Sequence, residues 1–468
     1  MLVPIFCIIS IISSLNFVFS YTNEALQDQV TTLYGLNNPI NFNQFSGYLN
    51  LGETKKNIHY WFVESESNPS KDPLVFWTNG GPGCSGLIGF LTEQGPFRPD
   101  SNGQLKMNEW RWNKIANMVF LEQPVGVGFS YSENTNDYKI GDEQAAKDNL
   151  QTILEFLKKF PEFSDSPLYI TSESYGGHYM PTLAWEIIQY NENNQNNKLN
   201  FKGFAVGNPY TDYYSGVGAE METYWGKQLL PKPSWDKYVA TGCLDPVNLL
   251  NNSVCSSLML DFMKKIGNLN PYALDYPVCL SAQQVWLNEH RFSNQEIKSD
   301  TMYLHQGIPL KDEYEPCEDN YSANYLNRQD VKDNLHVKSN IQWEECSRTV
   351  KYEYVDKMKP MEKYYNKILN SKSSPDLNIL VYSGDDDGVC GTVGTQKWIY
   401  DLGYPVKSLW KTWEVDGQMA GYVTKFNTPF SDESRLKFAT VHFAGHEVPT
   451  YKPKEAFVLF QSYLNNDL

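Results

Sequence analysis

Short apolar runs alternate with helical patterns between about residues 73 and 207, and this alternation restricts the fold more than any other feature of the chain. Between two of the runs, residues 142–160 place apolar side chains at helical spacing. Strands that alternate with helices predict a mostly parallel sheet with helices on both faces, which is an α/β architecture. Four runs have the length and composition of strands buried on both faces: PLVFWTN (73–79), NMVFLEQ (117–123), PLYITSE (167–173) and FKGFAVGN (201–208).

The β/α pattern is interrupted after the fourth run and resumes near the C-terminus. Residues 209–340 contain several cysteines and few strand-like runs, so we interpret them as an inserted, mainly helical cap. Buried strands are again predicted for NILVYSG (378–384) and KFATVHF (437–443), and a helical pattern closes the chain. We therefore expect residues 21–208 and 341–468 to build one sheet between them.

The chain begins with a segment, residues 1–20, that is mostly apolar and contains neither acidic nor basic side chains. Val18 and Ser20 have the spacing of the small residues that precede a signal-peptidase cut. We predict a secretory signal peptide that is cleaved after Ser20. An uncleaved anchor is the alternative, because the segment lacks the Lys or Arg that usually opens a signal peptide.

The charge and hydropathy of the chain exclude two classes of partner. The formal net charge is −16 and no run of basic residues occurs, so nucleic acids and anionic membrane surfaces are not expected partners. No stretch after the signal approaches the roughly 18 consecutive apolar residues of a membrane span. We therefore expect no membrane contact after signal cleavage.

The cysteines indicate disulfide bonds in an oxidising compartment. The chain has eight, and Cys7 leaves with the signal, so the remaining seven suggest three bridges and one thiol. Cys243 and Cys255 are close enough in sequence for a local bridge. The cysteines form no CxxC pair of the kind that zinc sites use, so a metal site is not expected. Asn251 and Asn320 each begin an Asn-x-Ser sequon, which we expect to be exposed and glycosylated in a secreted chain.

Ser174 is the candidate nucleophile. It lies between a predicted strand and a helical pattern, in the sequence SESYG (172–176). A nucleophilic serine on a strained turn is usually found in G-x-S-x-G, and here Ser172 replaces the first glycine. A turn-capping or solvent-facing hydroxyl is the alternative interpretation.

A nucleophilic serine needs a base and an acid that orients the base, and in α/β-hydrolases these follow in the order Ser, then Asp or Glu, then His. His446 comes just after the strand predicted at 437–443, where a glycine turn would bring its imidazole over the carboxyl edge of the sheet. His178 and His442 are expected to be structural. The acids at 385–387 end another predicted strand; one of them would orient His446, and the others are expected to be solvated.

The sequence WTNGGPGCSG (77–86) places a glycine-rich loop after the first predicted strand. It lacks the Lys-Ser/Thr ending of a phosphate-binding loop, so nucleotide binding is not expected. In a hydrolase, an N–H of such a loop and the N–H of the residue after the nucleophile form the oxyanion hole. Gly81 and Tyr175 are the candidates.

Taken in order, these residues resemble the serine carboxypeptidases of the vacuolar and lysosomal type, which belong to the α/β-hydrolase superfamily. The resemblance covers nearly the whole mature chain. It implies an α/β-hydrolase fold with an inserted cap and the release of C-terminal amino acids through an acyl-enzyme at acidic pH. The matching segments are SGYLN (46–50), WTNGGPGCSG (77–86), EQGPF (93–97), FLEQPVGVGFSYS (120–132), ESYGGHYMP (173–181), KGFAVGN (202–208), VYSGDDDGVC (381–390), GTQKW (394–398) and GHEVP (445–449).

The resemblance implies a role for each candidate. Ser174 corresponds to the nucleophile, Asp387 to the orienting acid and His446 to the base, with Gly81 and Tyr175 N–H groups as oxyanion donors. It also implies the bridges Cys84 to Cys346, Cys243 to Cys255 and Cys279 to Cys317, and leaves Cys390 as a free thiol near the site.

The resemblance further implies that Asn79, Gly80, Glu93 and Glu173 bind the terminal carboxylate of the substrate. Two carboxyl groups attract an anion only if they share a proton, and close like charges raise one of their pKa values. We therefore expect an acidic optimum, with binding of free-carboxyl peptides weakening as the pH rises.

Two positions depart from the family pattern. Ser172 stands where the family usually has Gly, and Thr78 stands where it usually has Leu. We expect the additional side chain of Ser172 to cost about 1 kcal/mol of strain in the crowded turn. All chemically active positions are intact.

Two other functions on the same scaffold are the alternatives. Plant-type relatives transfer acyl groups from glucose esters, but they typically have Asp at the position of Glu173 and Ser for the second glycine of the turn. The sequence ESYGG (173–177) therefore favours hydrolysis. A binding or protective protein whose activity is lost through Ser172 is the third interpretation.

The expected partner is the C-terminus of a peptide or protein, and the expected location is the secretory pathway, with a lysosome, a vacuole or the extracellular space as destination. The resemblance implies no cofactor and no metal. A homodimer is one oligomeric state that it allows.

Overall fold

The computed structural model describes residues 21–52, 54–267, 269–279 and 314–468. The signal peptide predicted for residues 1–20 lies outside this part of the chain. In the described ranges, no helix combines the length and the apolarity needed to cross a membrane.

The described residues form strands β1 to β15 and α-helices α1 to α15. The strands are β1 (Gln44–Asn50), β2 (Lys56–Val63), β3 (Leu74–Thr78), β4 (Phe97–Pro99), β5 (Leu105–Met107), β6 (Asn117–Glu122), β7 (Tyr131–Ser132), β8 (Lys139–Ile140), β9 (Leu168–Glu173), β10 (Phe201–Gly207), β11 (Lys351–Tyr352), β12 (Asn378–Gly384), β13 (Val406–Val415), β14 (Gln418–Phe426) and β15 (Leu436–Val441). The helices are α1 (Asn23–Gln27), α2 (Leu87–Thr92), α3 (Asp142–Lys159), α4 (Gly176–Asn193), α5 (Val217–Gly226), α6 (Lys232–Ala240), α7 (Pro246–Asn251), α8 (Ser253–Ile266), α9 (Glu318–Leu326), α10 (Gln329–Asn334), α11 (Tyr354–Lys357), α12 (Glu362–Leu369), α13 (Thr392–Asp401), α14 (Val448–Tyr451) and α15 (Pro453–Asn465).

One sheet of eleven strands forms the centre of the described protein. Ten strands follow the order β1-β2-β6-β3-β9-β10-β12-β15-β14-β13, and β7 pairs with β2. From β6 to β15 along that order all neighbours are parallel, whereas the outer pairs are antiparallel. The parallel strands are those that the apolar runs predict, so the mostly parallel α/β-hydrolase sheet is confirmed.

The parallel strands are apolar throughout because each is buried on both faces. In β3, Leu74 and Phe76 belong to the apolar cluster that includes Phe156 of α3. Val75 and Trp77 point the other way, into the cluster formed with α2 and α15. Successive strand side chains thus supply two cores, one under the helices of each face.

The described part of the predicted cap, residues 209–340, contains helices α5 to α10 and no strand. Helices α5 to α8 surround a third apolar cluster that includes Cys243 and Cys255. In α9 and α10, however, Leu326 and Val331 belong to the core cluster of α2 and α15. The cap boundaries stay a prediction.

The carboxyl ends of parallel strands lie at one edge of the sheet, and the predicted site residues follow those ends. Strand β3 ends directly before Asn79, and β9 ends directly before Ser174. Strand β12 leads into the acids at 385–387, and β15 leads into the loop with His446. The topology therefore brings four separate chain segments to one edge.

Candidate active site

Ser174 occupies the tight turn between β9 and α4. Its φ of 57° lies in the left-handed region, which few residues other than glycine adopt. Its N–H donates to the Gly207 carbonyl over 3.0 Å, and its carbonyl accepts from Gly177 N at 2.9 Å and Tyr210 N at 2.8 Å. Such strained conformations persist where the surrounding structure fixes them, and they cluster at functional sites.

Ser172, the departure from the family pattern, is completely buried beneath this turn. Its hydroxyl donates to the carbonyl of Thr78 over 2.6 Å. A Cβ atom at Gly176 would overlap Ser172 Oγ, so the residue after Tyr175 must be glycine here. The additional side chain is thus accommodated by a hydrogen bond and by the neighbouring glycine.

His446 and Asp387 form a buried pair. The distance from His446 Nδ1 to Asp387 Oδ2 is 2.7 Å. Asp387 Oδ2 also accepts from Asn208 Nδ2 at 2.8 Å, and Oδ1 accepts from Val389 N at 2.7 Å. Several donors therefore fix the carboxylate, and the bond at Nδ1 leaves Nε2 of His446 for another partner.

Ser174 and His446 line the same cavity of about 600 Å³, together with Glu173. Burial alone would lower the pKa of His446, but the charge of Asp387 and its hydrogen bond raise it to about 9. The backbone N–H of His446 donates to the Tyr272 carbonyl over 2.7 Å. The cavity thus holds a hydroxyl, an imidazole and, behind the imidazole, a carboxylate.

A pair of buried carboxyl groups lies beside the serine. Asn79 Nδ2 donates to Glu93 Oε1 at 2.9 Å and to Glu173 Oε1 at 2.8 Å. The two buried carboxyl groups therefore accept from the same amide, and the charge of Glu93 raises the pKa of Glu173, which favours a proton on the pair. Asn79 and Glu173 line the cavity, whereas Glu93 is not among its lining residues. Glu173 is therefore the carboxyl group of the pair that can meet a ligand.

Burial dominates the titration of this pair. It raises the pKa of Glu93 to about 7, with the Asn79 hydrogen bond opposing the shift. Burial, followed by the charge of Glu93, raises the pKa of Glu173 well above its ordinary value. The pair therefore holds a proton over the acid range and can donate a hydrogen bond to a carboxylate.

The glycine-rich loop packs directly against the turn of Ser174. A Cβ atom at Gly80 would overlap Tyr175 N, and Gly81 has a φ of 106° that favours glycine. Among the described residues, neither Gly81 N–H nor Tyr175 N–H has an acceptor in the protein. Both N–H groups are therefore free to bind an oxyanion.

The disulfide bonds of the structure join the same pairs that the resemblance implies. The Cys84–Cys346 bridge fastens the glycine-rich loop to a distant segment of the chain. Cys390 is free and buried. The other two bridges are Cys243–Cys255 and Cys279–Cys317.

The other two candidate histidines pair with acids away from the cavity lining. His178 is buried and its Nδ1 lies 2.9 Å from Asp142 Oδ2. His442 Nδ1 lies 2.6 Å from Asp385 Oδ2. Asp386, which was expected to be solvated, is buried instead, because it accepts hydrogen bonds from Lys227 Nζ and Asp275 N. These contacts give each of them a structural partner.

One group of potential metal ligands occurs in the described residues: Asp387, Cys390 and His446 lie with their ligand atoms within 4.8 Å of one another. His446 Nδ1 and Asp387 Oδ2 already hydrogen-bond to each other, and a metal bound to both atoms would have to break that bond. The hydrogen bond makes the group an acid–base pair with a thiol beside it. Asn251 and Asn320, the predicted glycosylation sites, are both exposed.

The structure adds residues that the sequence analysis does not single out. Asn208 contacts Asp387, and Glu447, next to His446, lines the cavity. Burial raises the pKa of Glu447 to about 8, with the charge of His446 opposing the shift. Asn208 is the last residue of the run predicted as a strand (201–208), and the observed strand β10 ends one residue before it. A polar side chain at that strand end is the one signal that could have identified it.

The chain resembles known proteins over almost its whole length. The sequence model of the serine carboxypeptidase family matches residues 35–466. Serine carboxypeptidase 24 of Arabidopsis thaliana is 34% identical over 454 residues, which are 95% of this chain and 93% of that protein. The lysosomal protective protein of Mus musculus is 33% identical over 474 residues, 95% of each chain.

Among solved structures, Kex1(delta)p, a prohormone-processing carboxypeptidase from Saccharomyces cerevisiae, superposes with a TM-score of 0.75. The match covers 94% of this chain and 96% of that one at 21% identity, so it supports the fold. The family match extends over almost all described residues, including each strand end that carries the site. The chain therefore belongs to the serine carboxypeptidase family.

Proposed function

We propose that this serine carboxypeptidase releases C-terminal amino acids with Ser174 as nucleophile, His446 as general base and Asp387 as the acid that orients the base. Ser174 and His446 line one cavity, and His446 Nδ1 contacts Asp387 Oδ2 at 2.7 Å. A family relative of near full length supports the activity.

In the first half of the reaction, Ser174 Oγ attacks the carbonyl carbon of the last peptide bond while His446 Nε2 takes the hydroxyl proton. The oxyanion of the tetrahedral intermediate accepts hydrogen bonds from Gly81 N–H and Tyr175 N–H. His446 then gives its proton to the leaving nitrogen, and the C–N bond breaks. The C-terminal amino acid departs, and the acyl group stays on Ser174 as an ester.

In the second half, water takes the place of the leaving amine. His446 removes a proton from the water, the hydroxide attacks the ester carbonyl, and the same N–H groups hold the oxyanion. Collapse of the intermediate returns the proton from His446 to Ser174 Oγ. The shortened peptide leaves with a new carboxylate.

Specificity for the C-terminus would come from Asn79, Gly80, Glu93 and Glu173. The observation that carries the proposal is the pair of buried carboxyl groups that both accept from Asn79 Nδ2. Asn79 and Glu173 line the cavity that contains Ser174. While the pair holds a proton it donates to the substrate carboxylate. Once the proton is lost, the negative charge repels that carboxylate, which favours activity at acidic pH.

We propose a location in the secretory pathway, with a lysosome, a vacuole or the extracellular space as destination. The predicted signal peptide, the three disulfide bonds and a relative named lysosomal protective protein support it. The proposed partners are C-termini of peptides and proteins, and the homodimer stays a prediction.

The decisive experiment compares wild type with Ser174→Ala on N-blocked dipeptides and on the same dipeptides with a C-terminal amide. Wild type should prefer the free carboxylate at acidic pH, and the variant should lose on the order of a million-fold in kcat, because the three groups act as a unit. Retained activity in Ser174→Ala would reject the proposed nucleophile.

A fluorophosphonate probe separates an enzyme from a silent binding protein. Labelling at Ser174 in folded wild type, and its loss in Ser174→Ala, supports the enzyme. Absence of labelling together with absence of hydrolysis would favour a binding role. Transfer of an acyl group from a glucose ester, with no peptide hydrolysis, would favour the acyltransferase.

A further inference from the structure

Ser172 and Thr78 are the two departures from the family pattern, and the structure makes them partners. They lie opposite each other in the parallel pair of β3 and β9. Ser172 Oγ donates to the Thr78 carbonyl over 2.6 Å and has a longer contact of 3.4 Å with the Glu173 carbonyl. Ser172 is 0% exposed and Thr78 4%, so water does not compete for this bond.

The bond joins residues at the ends of β3 and β9, close to the start of two segments of the proposed site. The first glycine of the glycine-rich loop, Gly80, lies two residues after Thr78, and the proposed nucleophile, Ser174, lies two residues after Ser172. Beyond this point the two segments touch, because a Cβ atom at Gly80 would meet Ser174 Cβ at 2.8 Å and overlap Tyr175 N. A bond at the base of both segments therefore sets the position of the loop relative to the nucleophile.

We propose that Ser172 is a positioning residue that fixes the Thr78 peptide and thereby holds Gly81 N–H in the oxyanion hole. This inference rests on the proposed function. Glycine at position 172 cannot make the bond, so the device belongs to this chain rather than to the usual family pattern.

The bond acts on the oxyanion hole and not on carboxylate binding. The side chain of Asn79 has its own anchors: Oδ1 accepts from Trp77 Nε1 at 2.8 Å and from Gly89 N at 3.1 Å. Asn79 Nδ2 also donates to the two glutamates. Gly81 N–H has no such anchor in the described residues. Loss of the Ser172 bond should therefore lower kcat and leave KM unchanged.

The test compares Ser172→Ala with Thr171→Val. Thr171 is a matched control, because its buried hydroxyl donates to the Phe76 carbonyl over 2.9 Å across the same two strands, farther from the loop. Complete loss of one oxyanion donor costs roughly 100- to 1,000-fold in kcat. For a displaced donor we expect kcat to fall about tenfold in Ser172→Ala, with KM for a free-carboxyl dipeptide within about twofold of wild type.

Thr171→Val should lose about as much thermal stability as Ser172→Ala, but its kcat should stay within about twofold of wild type. Affinity for a peptidyl trifluoromethyl ketone, whose adduct places an oxyanion in the hole, should weaken about tenfold in Ser172→Ala only. A wild-type kcat in Ser172→Ala, a change confined to KM, or an equal loss of kcat in Thr171→Val would overturn the inference. Activity of Ser174→Ala in the same assay would instead overturn the proposed function.

Discussion

Asn208 donates from Nδ2 to Asp387 Oδ2 over 2.8 Å, the same oxygen that lies 2.7 Å from His446 Nδ1. Asn208 is itself held by the main chain, because its Oδ1 accepts from Gly384 N at 2.9 Å. The amide therefore connects the end of β10 to the loop after β12. It fixes the carboxylate that orients the imidazole.

Replacing Asn208 with alanine should slow turnover by roughly 10- to 100-fold, because misplacement of catalytic groups by about 1 Å costs on that order. KM should change little, since Asn208 is outside the carboxylate-binding network. Steady-state kinetics at the pH optimum measures both. Asn117→Ala is the control: Asn117 is also a buried asparagine, with a hydrogen bond to the Pro69 carbonyl at the start of β6. An equal fall of kcat in both variants would show a general structural effect.

The carboxyl pair predicts how substrate binding depends on pH. Burial raises the pKa of Glu93 to about 7, and burial together with the charge of Glu93 raises the pKa of Glu173 well above its ordinary value. As the pH rises through about 7 the pair therefore loses the proton of Glu93 and gains a negative charge. KM for a free-carboxyl dipeptide should therefore rise between about pH 5.5 and 8. KM for the corresponding C-terminal amide should stay nearly constant, since an amide is not repelled by the added charge. A KM for the free acid that is flat from about pH 4 to 7.5 would contradict this coupling.

Glu93→Gln should remove most of the pH dependence of KM. Glutamine keeps a donor and an acceptor at that position and cannot ionise, so only Glu173 then titrates. Wild type and variant compared from about pH 4 to 8 provide the measurement. An unchanged KM profile in Glu93→Gln would assign the dependence to another group.

The parallel sheet follows from the sequence because burial on both faces produces continuous apolar runs. The antiparallel hairpin of β13 and β14 does not, because most side chains of β13 are exposed. Its signal is the turn Asp416–Gly417, where φ is 52° and then 72°. Two left-handed residues of this type form a two-residue hairpin turn.

The triad order is predictable for a similar reason. Parallel strands bring their carboxyl ends to one edge of the sheet. Ser174, Asp387 and His446 each follow the end of such a strand, so they are expected to meet at that edge. The contact of Asn208 with Asp387 spans 179 residues and depends on how two loops approach each other. No local pattern encodes that distance.

Thiol reagents should label Cys390 slowly, and complete labelling should abolish activity. Its ligand atom lies within 4.8 Å of those of Asp387 and His446, so a group attached to the sulfur would displace the pair. Burial, reinforced by the charge of Asp387, raises the pKa of the Cys390 thiol well above its ordinary value. A small neutral reagent should therefore react slowly, and activity should fall in proportion to labelling. Cys390→Ser should resist the reagent; full labelling of Cys390 with an unchanged rate would refute the placement.

Glu447 should control the protonation of His446. The charges of Asp387, Glu447 and Glu93 together hold the pKa of His446 at about 9 against the effect of burial. His446 can act as a general base only while its imidazole is neutral. At acidic pH Glu447 and Glu93 are protonated, so two of the three charges that raise the pKa of His446 are absent. Glu447 has a pKa of about 8 and is ionised when His446 titrates. Glu447→Gln should therefore lower the pKa of His446.

The pH dependence of fluorophosphonate labelling measures this effect, because the reaction needs a neutral imidazole. Its midpoint should move to lower pH in Glu447→Gln. Glu222→Gln is the control, since Glu222 pairs with Lys397 on the surface. A midpoint that stays in place or rises would show that Glu447 is not coupled to His446.

The buried carboxyl groups also predict that the folded protein is more stable at pH 5 than at pH 7.5. Burial raises the pKa of Glu162 to about 7, that of Glu447 to about 8 and that of Glu93 to about 7. A group whose folded pKa lies above its unfolded value of about 4.3 binds a proton more tightly when folded. Its stabilising contribution is complete below about pH 4.3 and is lost as the pH rises through the folded pKa. The raised pKa of His446 acts in the same direction, with its contribution lost between about pH 6.5 and 9.

Thermal unfolding should therefore show a Tm several degrees higher at pH 5 than at pH 7.5. Glu162→Gln, which changes a residue outside the cavity lining, should reduce that difference without affecting KM, whereas a Tm that is constant or rises with pH would contradict the assignment of these protons.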